Sequence, residues 1–175
     1  RIVELARSRR IAQAALLDSA TIHGQADLLA NHLIRIYDYP GDRWRKDTLL
    51  RDFTFAGPNV DPGDRRGQRA LQSVYGHLTG DPRRGTPPLY SVGYNDETGI
   101  LFISAKTADE ELSITLTEKL YRHLSNFYIR QSTQRQQQTF DNLQAKVDSV
   151  QSELQSAESR LARLQDASYG LTRQS

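Results

Sequence analysis

The sequence predicts an α+β fold in which a small α/β globule with one β-hairpin is followed by one very long helix with a coiled-coil-like seam. Residues 89–94 and 100–105 are rich in β-branched, aromatic and aliphatic side chains and flank the turn-forming residues 95–99, a pattern typical of a hairpin. No Pro or Gly occurs between Thr107 and Gly170, so an uninterrupted helix through this stretch is about 90 Å long. A chain of 175 residues is long enough for one such globule with an extension.

Shorter elements are predicted before the hairpin from the spacing of apolar residues and from the positions of Gly and Pro. Short helices are expected within residues 2–17, 26–37, 44–53 and 69–78. Residues 20–22 are a candidate short strand, and the Gly- and Pro-containing segments 57–63 and 80–88 are expected to be loops.

The long helix has a clear predicted start and an apolar first half. Thr107 followed by Glu110 matches a capping box, and Asp109 and Glu111 add the negative charge that favours a helix N-terminus. The residues expected to close the core of the globule form a broad apolar face: Leu112, Leu116, Leu120, Leu124 and Phe127, with Tyr121 and Tyr128 beside them.

The second half of the long helix carries a narrow heptad seam. Residues 131–139 are almost wholly polar, and the apolar residues beyond them alternate in steps of three and four. The seam consists of Phe140, Leu143, Val147, Val150, Leu154, Ala157, Leu161 and Leu164. In a solitary helix these side chains would remain in water at a cost of about 1.5 kcal/mol or more for each large one. The seam therefore predicts a partner helix, which is a return helix of the same protein, a second subunit, or both.

These elements predict a base domain over residues 1–106 and a long helix over residues 107–168. Within that helix, residues 107–129 are expected to pack on the base and residues 130–168 to project from it, with a tail at 169–175. The chain begins with Arg and contains no Met, so we expect it to be a piece of a longer protein. No stretch approaches the roughly 20 apolar residues that span a bilayer, so membrane anchors are expected outside it.

Composition argues against nucleic-acid binding and disulfide chemistry. The 23 Lys and Arg and 21 Asp and Glu are distributed evenly, with 14 basic and 12 acidic residues in positions 1–100 and 9 of each afterwards. Nucleic-acid binders usually concentrate basic residues on one face, so no nucleic-acid partner is predicted. The absence of Cys excludes disulfides and thiolate metal sites.

The sequence predicts no catalytic, cofactor-binding or metal-binding residue, and hence no enzyme. The four histidines have no metal-ligand spacing, and no phosphate-binding Gly-rich loop or nucleophile elbow is present. The acidic pair Asp96 and Glu97 falls in the hairpin turn, and residues 109–111 fall in a first helical turn. Two pairs of Arg occur at residues 65–66 and 83–84. We expect both pairs in loops that are exposed to solvent. The alternative is that these arginines bind phosphate or an acidic sugar.

Several segments carry a resemblance to a known family through their order along the chain. They are ARSRRIA at residues 6–12, ALL at 15–17, TIHG at 21–24, YNDETGIL at 94–101, ADEEL at 108–112 and FY at 127–128. In this order, and with a hairpin leading into a long helix, the chain resembles the periplasmic region of the chain-length determinant family, the Wzz-like polysaccharide co-polymerases, especially the Bacteroidetes type. The resemblance assigns no role to individual residues.

The resemblance implies a membrane-proximal α/β domain next to the inner membrane, a helix extending into the periplasm, and protomers assembled side by side in a ring. It implies a non-catalytic regulator of the chain length of lipopolysaccharide O antigen or capsular polysaccharide. The implied partners are further copies of the chain and a separate membrane polymerase, with the lipid-linked polysaccharide as an additional candidate. The chain departs from the full family pattern because it lacks the two membrane segments and the stretch that returns after the long helix.

Three other functions remain as alternatives. The first is the periplasmic domain of an exopolysaccharide export protein that carries a tyrosine autokinase elsewhere in its chain. The second is a periplasmic adaptor of an efflux or secretion system, although such adaptors have more short strands than the one firm hairpin predicted here. The third is a generic coiled-coil scaffold, because a heptad seam by itself indicates only that helices meet.

Overall fold

The computed structural model describes residues 2–81 and 85–172, with side chains described as far as residue 164, and begins with two short helices. They are α1 (Ile2–Ala6) and α2 (Arg9–Leu16). The Ser8 hydroxyl caps α2 by accepting from the Ile11 N–H at 3.4 Å. Because the apolar residues of α2 recur on one face, that face is buried while its arginines remain outside. The predicted pair of short amphipathic helices is confirmed.

A tight hairpin follows, formed by β1 (Ser19–Ile22) and β2 (Gln25–Leu28). His23 and Gly24 make its two-residue turn with φ of 51° and 74°, the left-handed conformation that a type I′ turn requires. The predicted strand is confirmed, but the helix expected from residue 26 is wrong at its start. Residues 25–28 pair with β1 instead, and α3 spans Leu29–Ile36.

The short helix expected over residues 44–53 is wrong, because this segment forms a series of hydrogen-bonded turns. Asp47 Oδ1 accepts from the Leu49 N–H at 3.1 Å, a local bond that competes with regular helical pairing. Trp44 is buried, and its indole N–H donates to Ser73 Oγ at 2.8 Å. The segment is therefore anchored by the buried Trp44 and Leu50 and by the ion pair of Asp47 with Arg69, rather than by a helical ladder.

Helix α4 (Arg65–Thr79) starts earlier than the apolar pattern predicts. Asp64 Oδ1 accepts from the Arg66 N–H at 3.0 Å and so caps the helix. The arginines at 65 and 66 consequently lie in a first helical turn, and their assignment to a loop is wrong. The second arginine pair, at 83–84, lies outside the described residues. Gly80 ends α4 with φ 73°, and a Cβ there would lie 2.7 Å from backbone atoms of the following segment.

The one predicted hairpin is confirmed as β3 (Tyr90–Asn95) paired antiparallel with β4 (Ile100–Ala105), in the register Tyr90↔Ala105, whereas the β1–β2 hairpin was not predicted. Tyr90 and Val92 face the core. On the opposite face the Phe102 ring covers Gly93, where a Cβ would meet it at 2.1 Å. The two hairpins are separate two-stranded sheets.

The long helix α5 spans Glu110–Thr172, so the α+β fold with one very long helix is confirmed. The predicted capping role of Thr107 is wrong, because Asp109 Oδ1 accepts from the Leu112 N–H at 2.8 Å. The Thr107 N–H instead donates to Ser113 Oγ at 2.9 Å. The helix also continues through Gly170, beyond the expected end at residue 168.

The first half of α5 closes the core with a narrower face than the sequence suggests. Its four leucines are buried and Phe127 is partly buried against the core. Tyr121 and Tyr128 are exposed, so the expectation that they help to close the core is wrong. At 100° per residue Tyr121 points about 140° away from Leu116. By compactness the chain divides into Arg1–Phe127 and Tyr128–Ser175, and α5 contributes to both units.

An aromatic cluster around His77 completes the core. The Tyr39 hydroxyl oxygen and His77 Nδ1 are 2.6 Å apart and share a hydrogen bond, and the Tyr37 ring meets the His77 ring edge-on at 4.6 Å. Burial, assisted by the positive charge of Arg43, lowers the pKa of His77 to about 4. The imidazole is therefore neutral in the folded chain at pH 7.

We expect Leu116→Ala to lower the free energy of unfolding by about 2–5 kcal/mol, because Leu116 is 0% exposed and its loss leaves a cavity. The matched control Ile114→Ala lies two residues earlier, where the side chain is 54% exposed, and should change it by less than about 0.5 kcal/mol. Urea unfolding followed by fluorescence of the single, buried Trp44 measures both. Equal effects of the two substitutions would contradict the placement of this helical face.

We expect the stability of the fold to fall as the pH drops from 6.5 towards 4. Over this range the unfolded state binds a proton at His77 that the folded state does not, which removes about 1–2 kcal/mol between pH 7 and pH 5. His77→Asn retains a polar partner for the Tyr39 hydroxyl but does not titrate, so it should reduce this pH-dependent loss. The same loss in both proteins, measured by urea unfolding at the two pH values, would exclude His77 as its source.

Candidate helix interface

The seam lies on one continuous stretch of α5, and all eight of its residues are exposed. The exposed fraction of the seven larger side chains is 57–68%. Nothing in the described part of the chain covers them. Leucines of the first half of the same helix are at most 3% exposed, so α5 changes from a covered apolar face to an uncovered one.

The seam follows a heptad pattern in which position a is Phe140, Val147, Leu154 and Leu161, and position d is Leu143, Val150, Ala157 and Leu164. It is about 36 Å long at 1.5 Å per residue. Ala157 is the small member of the series, and a shallow groove opens beside it between Glu153, Arg160 and Leu161. Apolar side chains at successive a and d positions suit knobs-into-holes packing against a facing helix.

Two pairs of polar side chains in this half of α5 form hydrogen bonds within the helix itself. The Gln137 amide donates to Asp141 Oδ1 at 2.9 Å, and the Gln144 amide donates to Asp148 Oδ1 at 3.0 Å. Both pairs have the i, i+4 spacing that supports a helix locally, by about 0.2–0.5 kcal/mol each. The apolar residues of the seam have no comparable local solution, since they need a second apolar surface.

Charges beside the seam restrict how two copies could pair. In the heptad pattern Lys146 and Glu153 occupy g positions, and Gln151 and Glu158 occupy e positions. A parallel, in-register pair of identical helices would place Glu153 of one copy near Glu158 of the other, on both sides of the pair. Like charges there disfavour that arrangement. A staggered or antiparallel partner helix does not create this contact.

The histidines and acidic residues considered as candidate metal or catalytic groups have structural surroundings that can be described. His32 and His77 lie in the core, whereas the rings of His23 and His123 contact carboxylates. Among the side chains described, no group of three or more His, Asp and Glu has an arrangement that could hold a metal ion. Asp96 and Glu97 lie in the β3–β4 turn, where Asn95 Oδ1 accepts from the Glu97 N–H at 2.9 Å.

Sequence reasoning missed how the first turn of α5 is anchored. Asp109 and Glu111 were explained by the helix dipole alone, yet both contact His23, more than 80 positions earlier in the chain. Further along α5, Lys119 and His123 both contact Asp18. A local sequence pattern cannot predict these contacts, because they form only when the β1–β2 hairpin packs beside α5.

No family model matches the chain, and no curated protein or solved structure matches it either. No helix among the described residues is both long and apolar enough to cross a membrane. Function is therefore inferred from the residues and their geometry, and the binding of a helix by the seam stays a prediction.

We expect the double substitution Leu154→Asp and Leu161→Asp to abolish helix association, because it places carboxylates in the middle of an apolar contact. The matched control is Ser152→Asp with Ser159→Asp, which makes the same charge change at the same spacing on the opposite, f-position side of the helix. Mass by light scattering and helicity by circular dichroism, both on the full-length protein in detergent, report the outcome. Unchanged mass and helicity in the leucine variant would contradict the role of the seam.

Proposed function

We propose that the chain is the periplasmic scaffold region of a non-catalytic regulator of polysaccharide chain length, acting on lipopolysaccharide O antigen or capsular polysaccharide. The observation that carries the proposal is the uncovered seam on a helix whose first half is fixed in the core of a small α+β unit. The order of segments that resembles the chain-length determinant family supports the same proposal.

The scaffold acts by holding other molecules in a defined arrangement, and it catalyses no reaction itself. Burial of Leu112, Leu116 and Leu120 fixes the first turns of α5 to the α+β unit, so the helix cannot slide or rotate freely. The seam further along the same helix then offers a regular, extended surface to other helices. Repeated contacts of this kind hold several copies in a defined arrangement, and that arrangement is the property that sets polymer length.

The partners of this scaffold are further copies of the chain and a separate membrane polymerase, with the growing lipid-linked polysaccharide as a third candidate. Attachment to the inner membrane is supplied by segments outside this sequence. An exposed apolar seam is compatible with this assembly, because contiguous exposed apolar surface usually marks an interaction site.

We expect deletion of the parent gene to remove the modal length of the surface polysaccharide, as seen by gel electrophoresis of material extracted from cells. Complementation with the Ser152→Asp and Ser159→Asp control should restore the mode. Complementation with Leu154→Asp and Leu161→Asp should give the same lack of a mode as the deletion, provided that immunoblotting shows equal protein levels.

An unchanged ladder on deletion would refute the proposed function. A lost ladder, with no polymer of any length at the cell surface, would favour the export-protein alternative. A deletion phenotype that the leucine variant fully rescues would separate chain-length control from the seam and would refute the scaffold mechanism.

A further inference from the structure

The turn of the β1–β2 hairpin is joined to the start of α5 by a single histidine. His23 Nε2 lies 2.7 Å from Asp109 Oδ2, and His23 Nδ1 lies 3.1 Å from Glu111 Oε2. The His23 backbone N–H also donates to Glu111 Oε2 at 2.9 Å. Three contacts therefore connect one turn residue with the cap and the first turn of the helix.

The ring contacts depend on the protonation of His23. A neutral imidazole has one N–H, so it can donate to only one of the two carboxylates, whereas the imidazolium donates to both. The hydrogen bond with Asp109 and its negative charge, assisted by Glu111, raise the pKa of His23. The pKa of Asp109 is lowered, first by the hydrogen bond from the Leu112 N–H and then by His23.

The position of His23 in the turn strengthens the argument. Its φ of 51° is left-handed, and the first central position of a type I′ turn is most often filled by Asn, Asp or Gly. His occupies this conformation less readily than Gly does, yet it is the residue whose charge changes between pH 5 and pH 8. The strained site thus holds a titratable group directly between two carboxylates.

The opposite end of the same hairpin is fixed to α5 separately. Asp18 Oδ2 lies 3.0 Å from Lys119 Nζ and 3.1 Å from His123 Nε2. The Asp18 carbonyl accepts from the Leu29 N–H at 2.9 Å, which closes the base of the hairpin. Loss of the His23 contacts would therefore free the tip while the base remains attached.

We propose that His23 is a pH-dependent latch that fastens the tip of the β1–β2 hairpin to the first turn of α5 when its imidazole is protonated. The charged groups that face the ring are Asp109, which caps the helix, and Glu111, in its first turn. The latch does not rest on the function proposed above, because all of its contacts lie within residues 1–127.

The pH range of the latch follows from the directions of the two pKa shifts. Because the pKa of His23 is raised, its contribution is complete below the ordinary value of 6.5 and is lost as the pH rises through the raised value. Because the pKa of Asp109 is lowered, that carboxylate protonates only below its ordinary value of 3.8. The latch is therefore complete at mildly acidic pH up to about 6.5, and it loses one of its two ring contacts as the pH rises above that value.

Hydrogen exchange on the whole chain, read by mass spectrometry at pH 5.5 and pH 8.0, tests the latch locally. A local readout is needed because His77 changes global stability in the opposite direction. We expect protection factors, corrected for the intrinsic pH dependence of exchange, to fall about twofold to fivefold at pH 8.0 in peptides covering residues 19–28 and 108–114. His23→Asn suits the turn but cannot be protonated, so it should show the low protection at both pH values.

A matched pair of variants separates the latch from general charge effects. Glu111→Gln should weaken the pH response, whereas Glu110→Gln, the same change one residue earlier, should retain it. A wild-type response in His23→Asn, or equal responses in the two glutamine variants, would overturn the proposal. A His23 imidazole pKa at or below 6.5, measured by nuclear magnetic resonance, would overturn it as well.

Discussion

Burial of one leucine stripe of α5 is the constraint on which the rest of the structure depends. Leu112, Leu116, Leu120 and Leu124 enter the same core as α2, both hairpins, α3 and α4. The two small two-stranded sheets pack on α1 and α3 in the same core, which they need because an isolated hairpin is marginally stable in water. The Asp109 cap and the ion pairs of His23 and Asp18 then fix where the helix starts and how it is rotated.

The same helix presents two apolar surfaces with different spacing. Residues at successive steps of four form the stripe that the α+β unit covers, and residues at alternating steps of three and four form the seam. Two Gln–Asp pairs of the second half form within the helix, whereas the apolar seam is not covered by any described part of the chain. The stripe fixes the first half of the helix in the core, and the seam is the surface that we propose binds other helices.

Elements that were predictable from the sequence have strong local signals. The β3–β4 hairpin has a turn between two β-rich runs, and α5 has an unbroken pattern. Predictions failed at residues 25–28, which pair with β1 across the two-residue turn, and at residues 44–53, where Trp44 is buried and donates to Ser73 of α4. The cap was misplaced by two residues because Thr107 and Asp109 are both good capping residues. The contact between His23 and Asp109 joins positions 86 apart and has no local signal.

The central claim is that the seam contacts another helix in the assembled protein. Because these 175 residues contain no Cys, single Cys substitutions can report this directly in the assembled protein, once any Cys elsewhere in the full-length chain has been replaced. Leu154→Cys and Ser152→Cys differ by two positions and are both exposed in the single chain. We predict that a thiol reagent labels residue 154 much more slowly than residue 152 in the assembled protein, and equally fast after denaturation. Equal labelling rates in the assembled protein would contradict the account.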